Sequence, residues 1–395
     1  MKLLVIGAGM MGTAAAYDMA RNRNVVAVTI ADSDKRRAKA AAERVNRLSK
    51  RKIASAVELD GSEEKKAARL MGNHDAALSA VPYFFNVGLA KAAIDARCHF
   101  ADLGGNNTVV RAELSMSKQA EKRGVAIAPD CGLSPGMASI LAGELMRRIG
   151  GTAEALKIYV GGLPIDPRPP FHYQLVFSVE GLINEYAEPA KILRKGRMTT
   201  IEPLSELETF HLRDFPPLEA FHTSGGTSTL PETFAGKVGE CFEKTLRYRG
   251  TLPYIKALYD FGFFSKDKMK IGKAEVSPRE VTSRLMSSKL AGSQADVTVL
   301  RVEAHEKQPR GLRALMDAKR EPRVLTFSMM DRFDSKTGMT SMMRTTAWPA
   351  SIVVQMLASG EIAKRGGIRQ ELDIPAETFL NAMHARGIEI NYEER

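Results

Sequence analysis

Residues 1–12 read MKLLVIGAGMMG. The apolar run Leu3–Ile6 leads straight into Gly7-Ala8-Gly9-Met10-Met11-Gly12, which fits G-x-G-x-x-G. Alone that pattern is weak. Here it follows a strand-like run, opens a helical segment, and has an acidic residue, Asp32, about 20 residues on at the end of the next apolar run. Each position has a physical task. Gly7 makes a tight turn. Gly9 lets a pyrophosphate reach the backbone, where N–H groups of the helix start at Met10 and Met11 meet it. Gly12 lets helix and strand pack closely. Asp32, followed by Ser33, is placed to accept hydrogen bonds from the hydroxyls of an adenine ribose. A carboxylate there repels a 2′-phosphate, so NAD is expected over NADP. Lys35, Arg36 and Arg37 follow closely and keep NADP as the lesser expectation.

Outward from this loop the chain alternates between two periods. The runs LLVIG (3–7), VVAVTIA (25–31), IASAVELD (53–60), AALSAV (76–81), CHFADLG (98–104) and GVAIAPD (124–130) read as strands. Helical segments fall at 10–22, 34–48, 62–72, 84–96 and 111–123. Nearly all-apolar strands alternating with helices predict a parallel sheet covered on both faces, hence an α/β, doubly wound Rossmann domain. The carboxyl ends of its strands should line one crevice. Asp60, Ala80-Val81-Pro82, Asp102-Leu103-Gly104, Asp130 and Gly132 are therefore further cofactor-site candidates. Asp102 and Asp130 are candidates for proton transfer as well as for turn capping.

After a helix at about 137–149 and Gly150-Gly151 the pattern changes. Alternating runs at 155–162, 171–178, 240–250, 295–305 and 321–331, with helices near 251–262 and 278–289, predict an α+β second domain with a mainly antiparallel sheet. RTTAWP (344–349) reads as the end of a strand, with Pro349 opening a helix that returns to the first domain. The expected division is 1–133, 134–345 and a C-terminal segment 346–395 packing back on the Rossmann domain.

Composition bounds the function. The chain has 395 residues, 44% apolar and 26% charged, in the ordinary globular range. Three widely spaced cysteines, Cys98, Cys131 and Cys241, fit neither a disulfide framework nor a zinc site, so a reducing, cytoplasmic compartment and no metal are expected. No run approaches the ~20 apolar residues of a membrane span. The net charge of +11 is scattered, with no nucleic-acid motif and no aromatic interleaving. The expected partner is a small molecule, with neither nucleic acid nor membrane.

VIGAGMMG (5–12), ADSD (31–34), DLGG (102–105), PDCGLSPGM (129–137), YVGGLP (159–164), VFSVEGL (176–182), PLEAFHTSGGTSTL (217–230) and LRYRG (246–250) together resemble the saccharopine dehydrogenase family, within it the bacterial lysine 6-dehydrogenases. The segments run in order through both domains. One departs from the family pattern, which places histidine after DLGG where this chain has Asn106. The resemblance implies NAD-dependent oxidative deamination of L-lysine at C6, giving a semialdehyde that cyclises to 1-piperideine-6-carboxylate, in a homodimer or higher homo-oligomer. The alternatives are a saccharopine-type or carboxynorspermidine-type reductase, or a catalytically silent NAD-binding regulator.

An amino-acid substrate needs a cation for its carboxylate and acceptors for its ammonium. Arg247 is the first candidate for the carboxylate, since a planar guanidinium grips it bidentately. Ser224 and Gly225 offer hydroxyl and backbone donors, Glu180 an ammonium partner, and Tyr173 a further polar contact. His222 joins Asp102 and Asp130 as a candidate base. Hydride leaves only from a neutral amine. With a reference pKa of about 10.4, the neutral form costs roughly 4–5 kcal/mol at pH 7, so weak carboxylate bases predict an alkaline optimum.

Overall fold

Strands β1 (Lys2–Ile6), β2 (Ala27–Asp32), β3 (Ala54–Glu58), β4 (Ala76–Ser79), β5 (His99–Asp102) and β6 (Ala126–Ala128) alternate with helices α1 (Met10–Arg21), α2 (Lys35–Ser49), α3 (Glu64–Met71), α4 (Asn86–Ala96), and α5 (Asn107–Ser115) with α6 (Ser117–Arg123). All six strands pair in parallel in the order β6-β5-β4-β1-β2-β3. The two-residue strand Gly366–Gly367 adds to β6, also parallel. The central strands are apolar on both faces because helices cover both; Leu3, Leu4, Val5, Ile6, Ala76, Ala77 and Leu78 have no exposed surface. Strand order reverses between β1 and β4, which puts the glycine-rich turn at the switch point.

The computed structural model describes residues 1–213, 215–291, 295–308 and 321–395. They form two compact units: Met1–Glu144 with Ser335–Met339 and Met343–Glu389, and Leu145–Asp334 with Thr340–Met342 and Ile390–Arg395. By packing, the first stretch of unit one ends at Glu144, inside helix α7 (Ala138–Arg148). In the first unit, buried Asp18 of α1 accepts hydrogen bonds from Arg386 Nε at 2.7 Å, Ser351 Oγ at 2.8 Å and Gln355 Nε2 at 3.2 Å. These bonds tie the late segment of that unit to its first helix.

The second unit is built on a mixed sheet. Strands β7 (Ala153–Pro164), β8 (Ala190–Arg194), β9 (Arg197–Ile201), β10 (Glu208–Phe210), β11 (Leu218–His222) and β12 (Val238–Tyr248) are joined through helices α8 (Val179–Ala187) and α9 (Leu230–Phe234). After α10 (Thr251–Asp260), the exposed hairpin β13 (Met269–Ile271) and β14 (Ala274–Val276), and α11 (Pro278–Lys289), come β15 (Asp296–His305) and β16 (Val324–Arg332). The order is β10-β11-β12-β7-β15-β16, ending on the strand Ile390–Glu394, with β8 attached to β12 and β9 to β8. The pairing is antiparallel except between β12 and β7. No helix among the described residues is long and apolar enough to cross a membrane.

Three local expectations are corrected. Residues 171–178 form no strand. His172 takes a left-handed backbone, φ 49°, and the segment's hydrogen bonds run to Leu290 and Thr251 and not to a strand ladder. Pro349 lies inside the helix Ser341–Ser359 and does not open it. That helix starts where Asp296, buried on β15, accepts from the N–H groups of Ser341 (2.6 Å) and Met342 (2.9 Å). Finally α5 begins at Asn107, four residues before the expected start at 111, because Asn106 caps it, accepting from the N–H groups of Thr108 and Val109.

Candidate active site

In the first unit the shape of the glycine-rich turn is set by close backbone packing. A Cβ on Gly7 would stand 2.5 Å from the carbonyl oxygen of Ala80, beside Val81, and one on Gly12 would collide with the carbonyl of Gly7. At Gly9 the same position is open space. Two glycines are thus fixed by close packing, and the third leaves room for a ligand against the backbone. Helix α1 has no side-chain cap, so the N–H groups at Met10 and Met11 are left for an anion. Asp32 is buried at the end of β2. Its Oδ2 accepts from Ala8 N–H at 2.8 Å and its Oδ1 from Asp34 N–H at 2.9 Å, which holds the glycine-rich turn and the end of β2 as one piece. Ser33, next to Asp32, and Pro82, after β4, are exposed. Asp60 is exposed and bonds Ser62 N–H and Oγ, so it closes the turn between β3 and α3.

Below the β5 and β6 loops lies a cluster of acids. Asp102 is 0% exposed. Its Oδ1 accepts from Gly104 N–H at 2.6 Å and Asp130 N–H at 3.2 Å. Its Oδ2 faces the carboxyl of Glu113, from α5, which is equally buried. Burial first, and then the charge on Asp102, push the Glu113 carboxyl far above the usual carboxylate range. Asp130 is buried with a left-handed backbone, φ 58°, and its Oδ1 fills the space that a Cβ on Gly104 would need. Leu103 and Gly132 flank the same loops, and Cys131 Sγ lies 2.9 Å from Gln370 Nε2. The two candidate bases of this unit are therefore sealed into its loop framework.

The second unit holds a second polar cluster. Arg247 on β12 is 3% exposed. Its Nε donates to Tyr186 Oη at 3.0 Å, its Nη1 to Leu246 O at 2.9 Å, and its guanidinium sits 4.6 Å from the centre of the Tyr173 ring. Nη2 stands 3.9 Å from Glu185 on α8, whose side chain is 30% exposed. Alternation along β12 puts Glu243 and Thr245 on the same face. Glu243 is buried and accepts from Thr223 Oγ1 (3.2 Å) and Thr245 Oγ1 (3.3 Å). Burial pushes the Glu185 carboxyl up to about 7 against the pull of Arg247. Burial, together with repulsion from Glu185, pushes Glu243 up to about 8. Tyr173 Oη is buried with no hydrogen-bond partner among the described residues.

Arg247 and Tyr173 are thus brought together, while the side chains of Glu180, Ser224 and His222 are engaged elsewhere. Glu180 is bound to Arg279 at 3.0 Å. Ser224 donates its hydroxyl to Pro189 O and its N–H to Glu185 O, beside Gly225, which turns at φ 96°. His222 lies on the opposite face of the sheet, its ring 5.5 Å from Phe242 and its Nε2 3.2 Å from Glu206. Burial, then Lys244, push the His222 pKa down. Glu185, Tyr186, Thr223, Glu243, Thr245 and Glu113 were not singled out from the sequence. The run Glu243-x-Thr245-x-Arg247 carried a signal, since period two puts three polar residues on one face; for Glu185 and Glu113 there was none. No group of side chains among the described residues is arranged to hold a metal ion.

Comparison with known proteins agrees with this two-unit architecture. Residues 3–128 match the family model described as the saccharopine dehydrogenase NADP binding domain, and residues 132–388 match the saccharopine dehydrogenase C-terminal domain. The chain is 24% identical over 266 residues to saccharopine dehydrogenase [NADP(+), L-glutamate-forming] of Pyricularia oryzae, covering 64% of this chain and 58% of that protein. It is 22% identical over 436 residues to the mitochondrial alpha-aminoadipic semialdehyde synthase of Mus musculus, covering 92% and 45%. The chain spans about half the length of the curated relatives it matches. The apo saccharopine dehydrogenase (L-Glu forming) structure from Saccharomyces cerevisiae has the same fold, with a TM-score of 0.79, 18% identity, and coverage of 100% of this chain and 99% of that one. The chain belongs to the saccharopine dehydrogenase family.

Proposed function

We propose that this protein is a nicotinamide-dependent oxidoreductase acting on a carbon–nitrogen bond of an amino acid, and that its substrate is a diamino monocarboxylate of the L-lysine type. The observation that carries the reading is the cluster around Arg247. One buried guanidinium suits one carboxylate, and two acids with raised pKa values, Glu185 and Glu243, suit ammonium groups. A bound dinucleotide supplies the hydride acceptor. The chain's own tasks are then to anchor the carboxylate at Arg247, to hold the side-chain amine, and to take its proton. A carboxylate whose pKa lies near 7 or 8 is a far better acceptor at neutral pH than an ordinary one. Loss of hydride from the carbon bearing the neutral amine leaves an iminium. Water adds, ammonia leaves, and the resulting semialdehyde closes on the α-amine to give 1-piperideine-6-carboxylate.

NAD is the proposed cofactor, on the strength of the Asp32 carboxylate at the ribose position. NADP is the alternative: the matching domain and the fungal relatives carry NADP in their descriptions, and Arg36 is 95% exposed within reach of the β2 end. A second substrate reading, saccharopine itself, is favoured by the names of the relatives. That longer substrate carries more than one extra carboxylate's worth of negative charge and would want further cations beside Arg247. The test is formation of NADH or NADPH from lysine, ornithine, saccharopine and polyamines. Preferred turnover of lysine with NAD is expected. Preferred turnover of saccharopine moves the protein to the second reading. Dinucleotide binding with no turnover of any of them points to a regulator.

A further inference from the structure

Asp102 ends β5 and Asn106 caps α5, so the loop between them is pinned at both ends. Glu113 returns to the same loop from α5 and meets Asp102 with no exposed surface. Glu113 feels the carboxyls of Asp102 and Asp130; Asp102 is hydrogen-bonded by Glu113 and by the N–H groups of Gly104 and Asp130; the neighbouring Cys131 thiol is buried, which pushes its pKa up. Asp102 Oδ2 and both Glu113 oxygens receive no donor from any other described residue. Two ionised carboxylates cannot share a dry site, so the pair holds one proton. Asp102 already accepts two backbone N–H groups, which favour its ionised form, so the proton resides on Glu113 and points at Oδ2.

We propose that Glu113 is a positioning residue of the dinucleotide site: as a neutral acid it donates to Asp102 Oδ2 and so orients the carboxylate that ties the β5 loop, at Gly104, to the β6 loop, at Asp130. Glu113 acts through Asp102 and touches no ligand. The proposal rests on the reading that the first unit takes a nicotinamide dinucleotide. Its chemistry is specific about the side chain at 113. Glutamine keeps a neutral donor of the same length. An apolar side chain leaves Asp102 Oδ2 buried without a donor, which lets the loop pair drift.

The intact chain, with Glu113→Gln and Glu113→Met, tests this by two measurements. The first is infrared difference spectroscopy at neutral pH, parent minus Glu113→Gln, read for the C=O stretch of a protonated carboxyl. The second is titration with NADH and NADPH, with circular dichroism as a check on folding. We expect the acid band in the parent and its loss in Glu113→Gln, dinucleotide affinity of Glu113→Gln within about threefold of the parent, and a loss of about tenfold or more in Glu113→Met. No band in the parent overturns the proposal even if Glu113→Met fails to fold. Parental affinity in a folded Glu113→Met, or a loss in Glu113→Gln as large as in Glu113→Met, also overturns it and leaves the dinucleotide reading standing. A parent that binds neither NADH nor NADPH overturns that reading, and the positioning role with it.

Discussion

At the scale of single residues, the distinction that matters is between polar groups used up by the fold and polar groups held in reserve. Arg247 gives one N–H to a tyrosine and one to a carbonyl, which leaves Nη2 facing Glu185 at 3.9 Å, too long for a hydrogen bond. We expect Arg247→Met to raise KM for the amino acid while leaving the dinucleotide KM near parental, with a penalty of ~2–5 kcal/mol on kcat/KM for the amino acid. Equal, small changes in both constants would place Arg247 outside the site. Glu243 titrates at about 8 in the folded chain against an ordinary 4.5, so the folded state holds the proton more tightly. Its contribution to stability is therefore full below about pH 4.5 and is lost as pH rises through about 8. Denaturation midpoints of the parent should fall across that window, and those of Glu243→Gln should fall less. The same two acids change the expected pH–rate profile. The sequence offered Asp102, Asp130 and His222 as bases, and with a weak carboxylate base it predicted activity rising well above pH 8. With Glu185 at about 7, kcat/KM for lysine should begin its rise near neutrality. At the cofactor end, Asp32→Ala should weaken NAD and narrow the gap to NADP; an unchanged ratio of the two Kd values would remove Asp32 from cofactor choice.

Elements were legible where the signal was local. The six N-terminal strands of the first unit lie within the runs read from the sequence, allowing a residue or so at their ends, and the signal is clearest for the central strands, which are apolar throughout because both faces are buried. The glycine cradle was legible for the same reason, since its steric demands fall on residues a few positions apart. What escaped was decided at a distance. The helix Ser341–Ser359 contains a proline at 349 and is started by a carboxylate on another strand, which no window around residue 341 contains. Residues 171–178 alternate like a strand, yet their buried members pack without a ladder. Asp102 was legible as a cofactor-site, proton-transfer and turn-capping candidate, but its partner Glu113 arrives from the next helix and nothing in spacing announces it. The remote cap is itself testable. Asp296→Ala leaves two buried N–H groups without an acceptor, and we expect a loss of about 2 kcal/mol or more in unfolding free energy. A denaturant midpoint indistinguishable from that of the parent would mean that the helix start is held by something else.

For the molecule as a whole, the two-part division was readable from the change in period near Gly150, and the return of the C-terminal residues from the apolar helix after 349. The compact units divide at 144 because a helix, α7, runs on past the turn at 131–136 without a break. The first unit is therefore discontinuous in sequence, and the bond between Asp18 and Arg386 spans 368 positions. Doubling a loop's length adds only about 0.6 kcal/mol of closure entropy, so an insertion of this size is cheap at equilibrium. Its consequence lies in time. In refolding, β1 to β4 can pair from neighbouring residues, whereas Gly366–Gly367 cannot join β6 until the far end of the chain has been found. Pulsed hydrogen exchange should accordingly show early protection of amides in β1, β2 and β4, and late protection of Gly366, Ile368 and the residues around Arg386. Between those two phases Asp18 stands without its Arg386 partner on an open helix face, and a chain caught there is a half-built Rossmann sheet with a bare β6 edge, ready to accept a strand from another molecule.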